Sequence, residues 1–167
     1  MQARDDYTML TEASHQTVQQ LLEAGKSQPG AMLPLLHDIQ DTLGYVPAEA
    51  VGDIAQALNV SRAEVHGVIT FYHHFRQQPA GRHVVQVCRA EACQSMGGEA
   101  LWAHACGSLG VDAAHGGTTA DAAVTLQPVY CLGLCSSSPA LALDDKVHAR
   151  MDATKLDRLL AAARSAA

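Results

Sequence analysis

The stretch His83-Val84-Val85-Gln86-Val87-Cys88-Arg89-Ala90-Glu91-Ala92-Cys93 is where the chain changes its period. Val84, Val85 and Val87 make a short β-rich run, and two thiols follow at C-x4-C spacing. Upstream, the apolar residues recur at helical spacing instead. The break between the two regimes is Pro79-Ala80-Gly81, a cluster that continues neither a helix nor a strand. A helical half therefore precedes an α/β half.

In the first half, Ser14 can cap a helix carrying Val18, Leu21 and Leu22, stopped by Gly25. A second helix is expected from about Gly30 to Leu43, with Leu35, Leu36 and Ile39 on one face and Gly44 after it. Pro47 stands near the start of a third, whose apolar face is Val51, Ile54, Ala55 and Leu58. Ser61-Arg62-Ala63-Glu64 has the form of a capping box for a fourth. Its stripe reads Val65, Val68, Ile69, Tyr72 and Phe75. Short connections between amphipathic helices point to a bundle over residues 1–80.

Beyond the break, a helix is expected from about Ser95 to Leu109, then a glycine-loosened stretch through Gly110, Gly116 and Gly117. Strands are expected over Ala123–Leu126, Ala140–Leu143 and Val147–Met151. A last helix starts at Asp152 or Thr154. The order β-α-β-β-β-α implies an α/β domain with a mixed sheet over residues 81–167.

Composition narrows the function. The 167 residues are 48% hydrophobic and carry a net charge of −6. An acidic surface argues against nucleic acid and anionic membranes as partners. Residues 57–65 imitate a turn into a recognition helix, but residues 47–76 are acidic overall, whereas a groove-binding helix is basic. No signal segment opens the chain and no apolar run suits a membrane span, so a soluble, cytoplasmic protein is expected. Thiols stay reduced there, which makes five cysteines better metal ligands or reactive groups than disulfides.

Cys88 and Cys93 form one pair. Cys131 and Cys135, at C-x3-C spacing, form another. Each pair sits where a strand gives way to a loop. Two such loops at one end of a sheet can offer four sulfurs to one site. Zinc accepts four thiolates, and so does a [2Fe–2S] cluster, so spacing alone leaves both open. A zinc-stapled interaction module is the alternative of a different class. Gly97, Gly98 and Gly133 would let backbone N–H groups approach the sulfurs, and Arg89 offers positive charge beside Cys88. Cys106 lies thirteen residues beyond Cys93, up to about 20 Å away along a helix, and reads as a buried helix residue. No histidine lies inside either cysteine loop, against a Rieske site. There is no C-x-x-C for thiol exchange and no G-x-G-x-x-G for a nucleotide.

The loops Val87-Cys88-Arg89-Ala90-Glu91-Ala92-Cys93 and Cys131-Leu132-Gly133-Leu134-Cys135 resemble the thioredoxin-like [2Fe–2S] ferredoxin family. The resemblance extends to Leu43-Gly44-Tyr45-Val46-Pro47, Val65-His66-Gly67-Val68 and Thr70-Phe71-Tyr72-His73-His74-Phe75. It includes the 24-kDa-type subunit of NADH dehydrogenase and its equivalents in NAD-reducing hydrogenases and NAD-dependent formate dehydrogenases. It implies a helical bundle followed by a thioredoxin-like domain, and one [2Fe–2S] cluster held by Cys88, Cys93, Cys131 and Cys135. It implies no substrate chemistry on this chain: FMN and NAD belong to a partner subunit with which single electrons are exchanged. In overall character the resemblance is nearest to the gamma subunit of a soluble formate dehydrogenase, with a large molybdenum- or tungsten-containing subunit as a further partner.

Overall fold

The structure is a computed structural model, and it describes residues 11–165. The chain divides between Pro79 and Ala80 into two compact units, each with its own core. Among the described residues no helix is long and apolar enough to cross a membrane.

The first unit holds α1 (Glu12–Gly25), α2 (Met32–Leu43), α3 (Ala50–Leu58) and α4 (Arg62–Phe71). Helix α1 starts earlier than Ser14 implied. Thr11 is the cap, and its hydroxyl accepts the Ser14 N–H at 3.2 Å. Gly44 closes α2 in the left-handed conformation, φ 83°, where a side chain would be strained. The Ser61–Glu64 capping box is formed in both directions. Val18, Leu22, Leu36, Ile39, Ile54 and Val65 are fully enclosed and make up the centre of the bundle.

The expected α4 stripe ends early. The helix stops at Phe71, Tyr72 turns extended, and both rings face outward, Phe71 at 73% exposure. Phe75 is buried, but from a turn beyond the helix. The cause is the buried Gln40 on α2. Its amide donates to the His74 carbonyl at 2.9 Å and accepts the Arg76 N–H at 2.6 Å. Those two bonds occupy the backbone that another helical turn would need.

The second unit runs β1 (His83–Cys88), α5 (Glu91–Ser95), α6 (Gly98–Leu109), β2 (Gly117–Thr118), β3 (Val124–Val129), β4 (Leu141–Leu143), β5 (Lys146–His148) and α7 (Ala153–Ser165). The sheet order is β2-β3-β1-β4-β5. Strands β1 and β3 are parallel and the other pairings antiparallel, so the sheet is mixed as expected.

Four details depart from expectation. The strand expected over Val147–Met151 is β5, which ends at His148. The helix expected over 95–109 is α6, which starts at Gly98 because Gly97 takes φ 94° just before it, and a short helix not expected from the sequence, α5, precedes it over Glu91–Ser95. The glycine-loosened stretch contains a strand, β2, which pairs Gly117 with Leu126 and Thr118 with Thr125. Gly116 is required just before it, since a Cβ there would run into the Leu126 carbonyl and the Trp102 ring. The third strand also extends past Leu126 to Val129, and this extension carries it level with Cys88.

Candidate metal centre

The two cysteine loops leave the sheet side by side. In the parallel β1–β3 register, Cys88 is opposite Val129, so Cys88 ends one strand and Cys131 follows two residues after its partner. Parallel neighbours put their carboxyl ends at the same edge, which is where open α/β sheets place their ligands. The backbone secures this edge. The Cys88 N–H donates to the Ala140 carbonyl at 3.0 Å, and the Arg89 N–H to the Val129 carbonyl at 2.8 Å.

From there the first loop enters α5, which buries Cys93. The second loop makes a tight turn. Cys131 adopts φ 104° and Gly133 φ 75°, and the Gly133 N–H points at Cys131 Sγ at 3.4 Å. A left-handed cysteine is a strained one, so the rest of the loop must impose it. Cys135 then opens a single 3₁₀ turn, Cys135–Ser137.

Cys131 and Cys135 stand with sulfurs 3.7 Å apart and are exposed, while Cys88 and Cys93 are buried. Two sulfurs on one tetrahedral metal with bonds of about 2.3 Å lie about 3.8 Å apart. The outer pair therefore has the separation of two ligands on one metal ion. The inner pair clusters with Ala140, with Val129, Leu132 and Leu134 packed around it. Among the described residues no three His, Cys, Asp or Glu side chains are placed to share a single ion.

The Cys135 thiol is pushed above its ordinary value, first by its hydrogen bond with Cys131 and by the Cys131 charge, then by burial, then by Cys93 and Cys88. Thiolates gathered this closely need cationic metal to balance their charge. A set of four thiolates fits a [2Fe–2S] cluster, as it fits zinc.

Residues outside the four cysteines complete the site. Ser138 ties the loops together: Cys93 Sγ lies 3.6 Å from its hydroxyl, which donates to the Cys135 carbonyl at 2.9 Å. Gly98 packs directly on the first loop, since a Cβ there would stand 2.7 Å from the Cys93 carbonyl oxygen and 3.2 Å from that of Cys88. Close packing is thus a requirement for glycine here besides the backbone approach expected from the sequence. Arg89 does not present a free charge to the sulfurs. It forks onto Glu99 and stacks over Trp102, 4.9 Å from the ring centre. That hydrogen bond holds the Glu99 carboxyl below its usual range and raises Arg89 further. Glu99, Trp102 and Ser138 gave no signal in the sequence, because each acts through partners that only folding supplies.

Cys106 lies apart from these loops, on α6 in the main core of the second unit. Its thiol is directed at the Asp112 carbonyl, 3.5 Å away, and burial pushes its pKa up. This is the inert cysteine the spacing suggested.

A family model described as thioredoxin-like [2Fe-2S] ferredoxin matches residues 18–164. An NADH-quinone oxidoreductase subunit of Rhizobium meliloti (strain 1021) is 38% identical over 136 residues, covering 81% of this chain and 80% of the relative. An NADH-quinone oxidoreductase subunit of Pseudomonas aeruginosa is 33% identical over 157 residues, 94% of this chain and 93% of the relative. Among solved structures, an NAD+-reducing [NiFe]-hydrogenase in the air-oxidized state superposes with a TM-score of 0.66 at 26% identity, over 86% of this chain. The match spans 24% of that hydrogenase chain's length. The H2-reduced state gives a TM-score of 0.65, also at 26% identity, over 80% of this chain and 22% of that one.

Proposed function

The chain belongs to the thioredoxin-like [2Fe-2S] ferredoxin family, and from that premise we propose that it is the electron-transfer subunit of an NAD-linked oxidoreductase complex. Cys88, Cys93, Cys131 and Cys135 are its cluster ligands in this reading. The carrying observation is the convergence of the two cysteine loops at the carboxyl ends of β1 and β3, bridged by Ser138. When bound there, a [2Fe–2S] cluster supplies reversible one-electron chemistry.

The chain's own residues supply the setting. Cys88 and Cys93 are screened from water by Ala140 and the surrounding aliphatic side chains. Cys131 and Cys135 stay at the surface, within reach of a docking partner. An exposed edge suits electron exchange, because the sulfurs on that side need no path through the fold. Tyr130 and Met96 are exposed near the same loops, and such residues are favoured in interface cores. The partner we propose is a subunit carrying FMN and NAD, and neither is assigned to this chain. The proposed compartment is the cytoplasm, where thiols stay reduced. Residues 81–167 form the cluster-bearing domain and residues 1–80 the helical one.

The named relatives favour a complex of the NADH-quinone oxidoreductase or NAD+-reducing hydrogenase type. The formate dehydrogenase assignment, with its molybdenum or tungsten subunit, ranks behind these. Proteins that co-purify with the native chain decide between them: a nickel–iron subunit, a membrane quinone-reducing assembly, or a molybdenum-bearing subunit. The cluster itself is tested by metal and sulfide analysis of the purified chain. We expect iron and acid-labile sulfide in equal amounts, a brown colour, and an EPR signal only after reduction. Stoichiometric zinc without sulfide would overturn the reading.

A further inference from the structure

Resting on the cluster reading above, we propose that Ser138 is a positioning residue that sets the reduction potential of this site through its hydroxyl bond to Cys93.

The four sulfurs are unequally exposed. Cys131 and Cys135 are exposed, so water can hydrogen-bond them in either oxidation state. Cys93 is 2% exposed, and its surroundings are Cys88, Ala140 and aliphatic side chains. Solvent cannot offer it a donor. Ser138, also buried, places its hydroxyl 3.6 Å from that sulfur.

A serine hydroxyl has one proton to give. In the thiol form, Cys93 donates to Ser138, and Ser138 directs its own proton at the Cys135 carbonyl, 2.9 Å away. A ligating cysteine has lost its proton and can only accept. The Ser138 proton then has two acceptors, the Cys135 carbonyl and the Cys93 sulfur. Adding one electron to the site makes the sulfur more negative and leaves the carbonyl unchanged. The sulfur therefore becomes the stronger acceptor on reduction. A donor bond that strengthens as charge is added stabilises the reduced form and raises the potential. The proton stays on Ser138 throughout, and one electron is gained with no proton transferred.

The test is potentiometric titration of the purified chain, followed by EPR, for wild type, Ser138→Ala, Ser138→Gly and Ser138→Thr. We expect Ser138→Ala and Ser138→Gly to lower the potential by a roughly tenfold change in the redox equilibrium, about 59 mV for one electron. Iron and sulfide content should match wild type. Ser138→Thr keeps the hydroxyl and should restore the wild-type potential. An unchanged potential in Ser138→Ala and Ser138→Gly would overturn the proposal. So would an equal shift in Ser138→Thr. Loss of iron and sulfide from both Ser138→Ala and Ser138→Gly would also overturn it, in favour of a purely structural role. Failure of the cluster reading is seen separately, as the absence of iron and sulfide from wild type.

Discussion

Arg89 is held by Glu99 through a two-pronged contact. Its Nε donates to one carboxylate oxygen at 2.9 Å and a terminal nitrogen to the other at 2.7 Å. The charge beside Cys88 is thus matched locally, and the pair joins the start of the first cysteine loop to α6. Both ends are partly exposed, so the ion pair itself is worth about 0–1 kcal/mol, with the stacking on Trp102 adding about 0.5–1 kcal/mol. Arg89→Gln should lower stability in urea by about 1 kcal/mol and Glu99→Gln by less, and the double variant should be no worse than Arg89→Gln alone. Arg89→Lys should not restore it, since an ammonium cannot fork. Additive losses in the double variant would show that the two residues act separately.

Gly98 leaves no room for a side chain. Its Cβ would meet backbone atoms of Cys93 under 3 Å away, and backbone yields less readily than a flexible side chain. Gly98→Ala should push the first loop off α6, lowering stability and reducing iron retained after desalting. Gly107 sits on the same helix with nothing within 4 Å of its Cβ position. Gly107→Ala should be neutral or slightly stabilising by helix propensity, which separates crowding from any general effect of alanine in α6.

The cysteines should separate by role. Cys131→Ser should lose or strongly alter the visible and EPR spectra of the cluster. Cys106→Ser should leave them unchanged, because Cys106 belongs to the core and faces the Asp112 carbonyl. Its cost is confined to burying a hydroxyl, about 1–2 kcal/mol in a denaturation curve. Equal spectral damage from both variants would refute the ligand assignment.

The helical unit should weaken in acid. Burial, then the nearby His37 and Arg76, hold the His74 imidazole below its ordinary value of 6.5, so folding favours its neutral form. Stability from this group is present above that value and falls as pH drops through it. Glu64 is held below 4.5 by hydrogen bonds to the Ser61 backbone and hydroxyl. Its contribution is present above the unfolded carboxyl value and is lost as pH falls through the folded one. Unfolding followed by circular dichroism should show the first loss beginning near pH 6.5 and the second below pH 4.5. Ser61→Ala, costing about 1 kcal/mol near neutrality, should flatten the second and spare the first.

Periodicity and cap chemistry are local properties, and they made much of the architecture legible before folding. The Ser61–Glu64 box, the Gly44 stop, the β1 run and the change of period at Pro79-Ala80-Gly81 all depend on residues within a few positions of one another. The four cysteines stood out as candidate ligands for the same reason, since each pair is contained in one short loop. What the sequence could not express was interaction across the chain. Gln40 ends α4 by bonding backbone more than thirty residues away. Two residues of glycine-rich chain become β2 only because β3 offers them a ladder. The β1–β3 register brings the cysteine loops to one edge, and Ser138 then stands between Cys93 and Cys135. Local sequence determined which atoms could serve as ligands. Long-range strand pairing and packing decided which of them are dry, which are exposed, and which neighbour supplies the hydrogen bond.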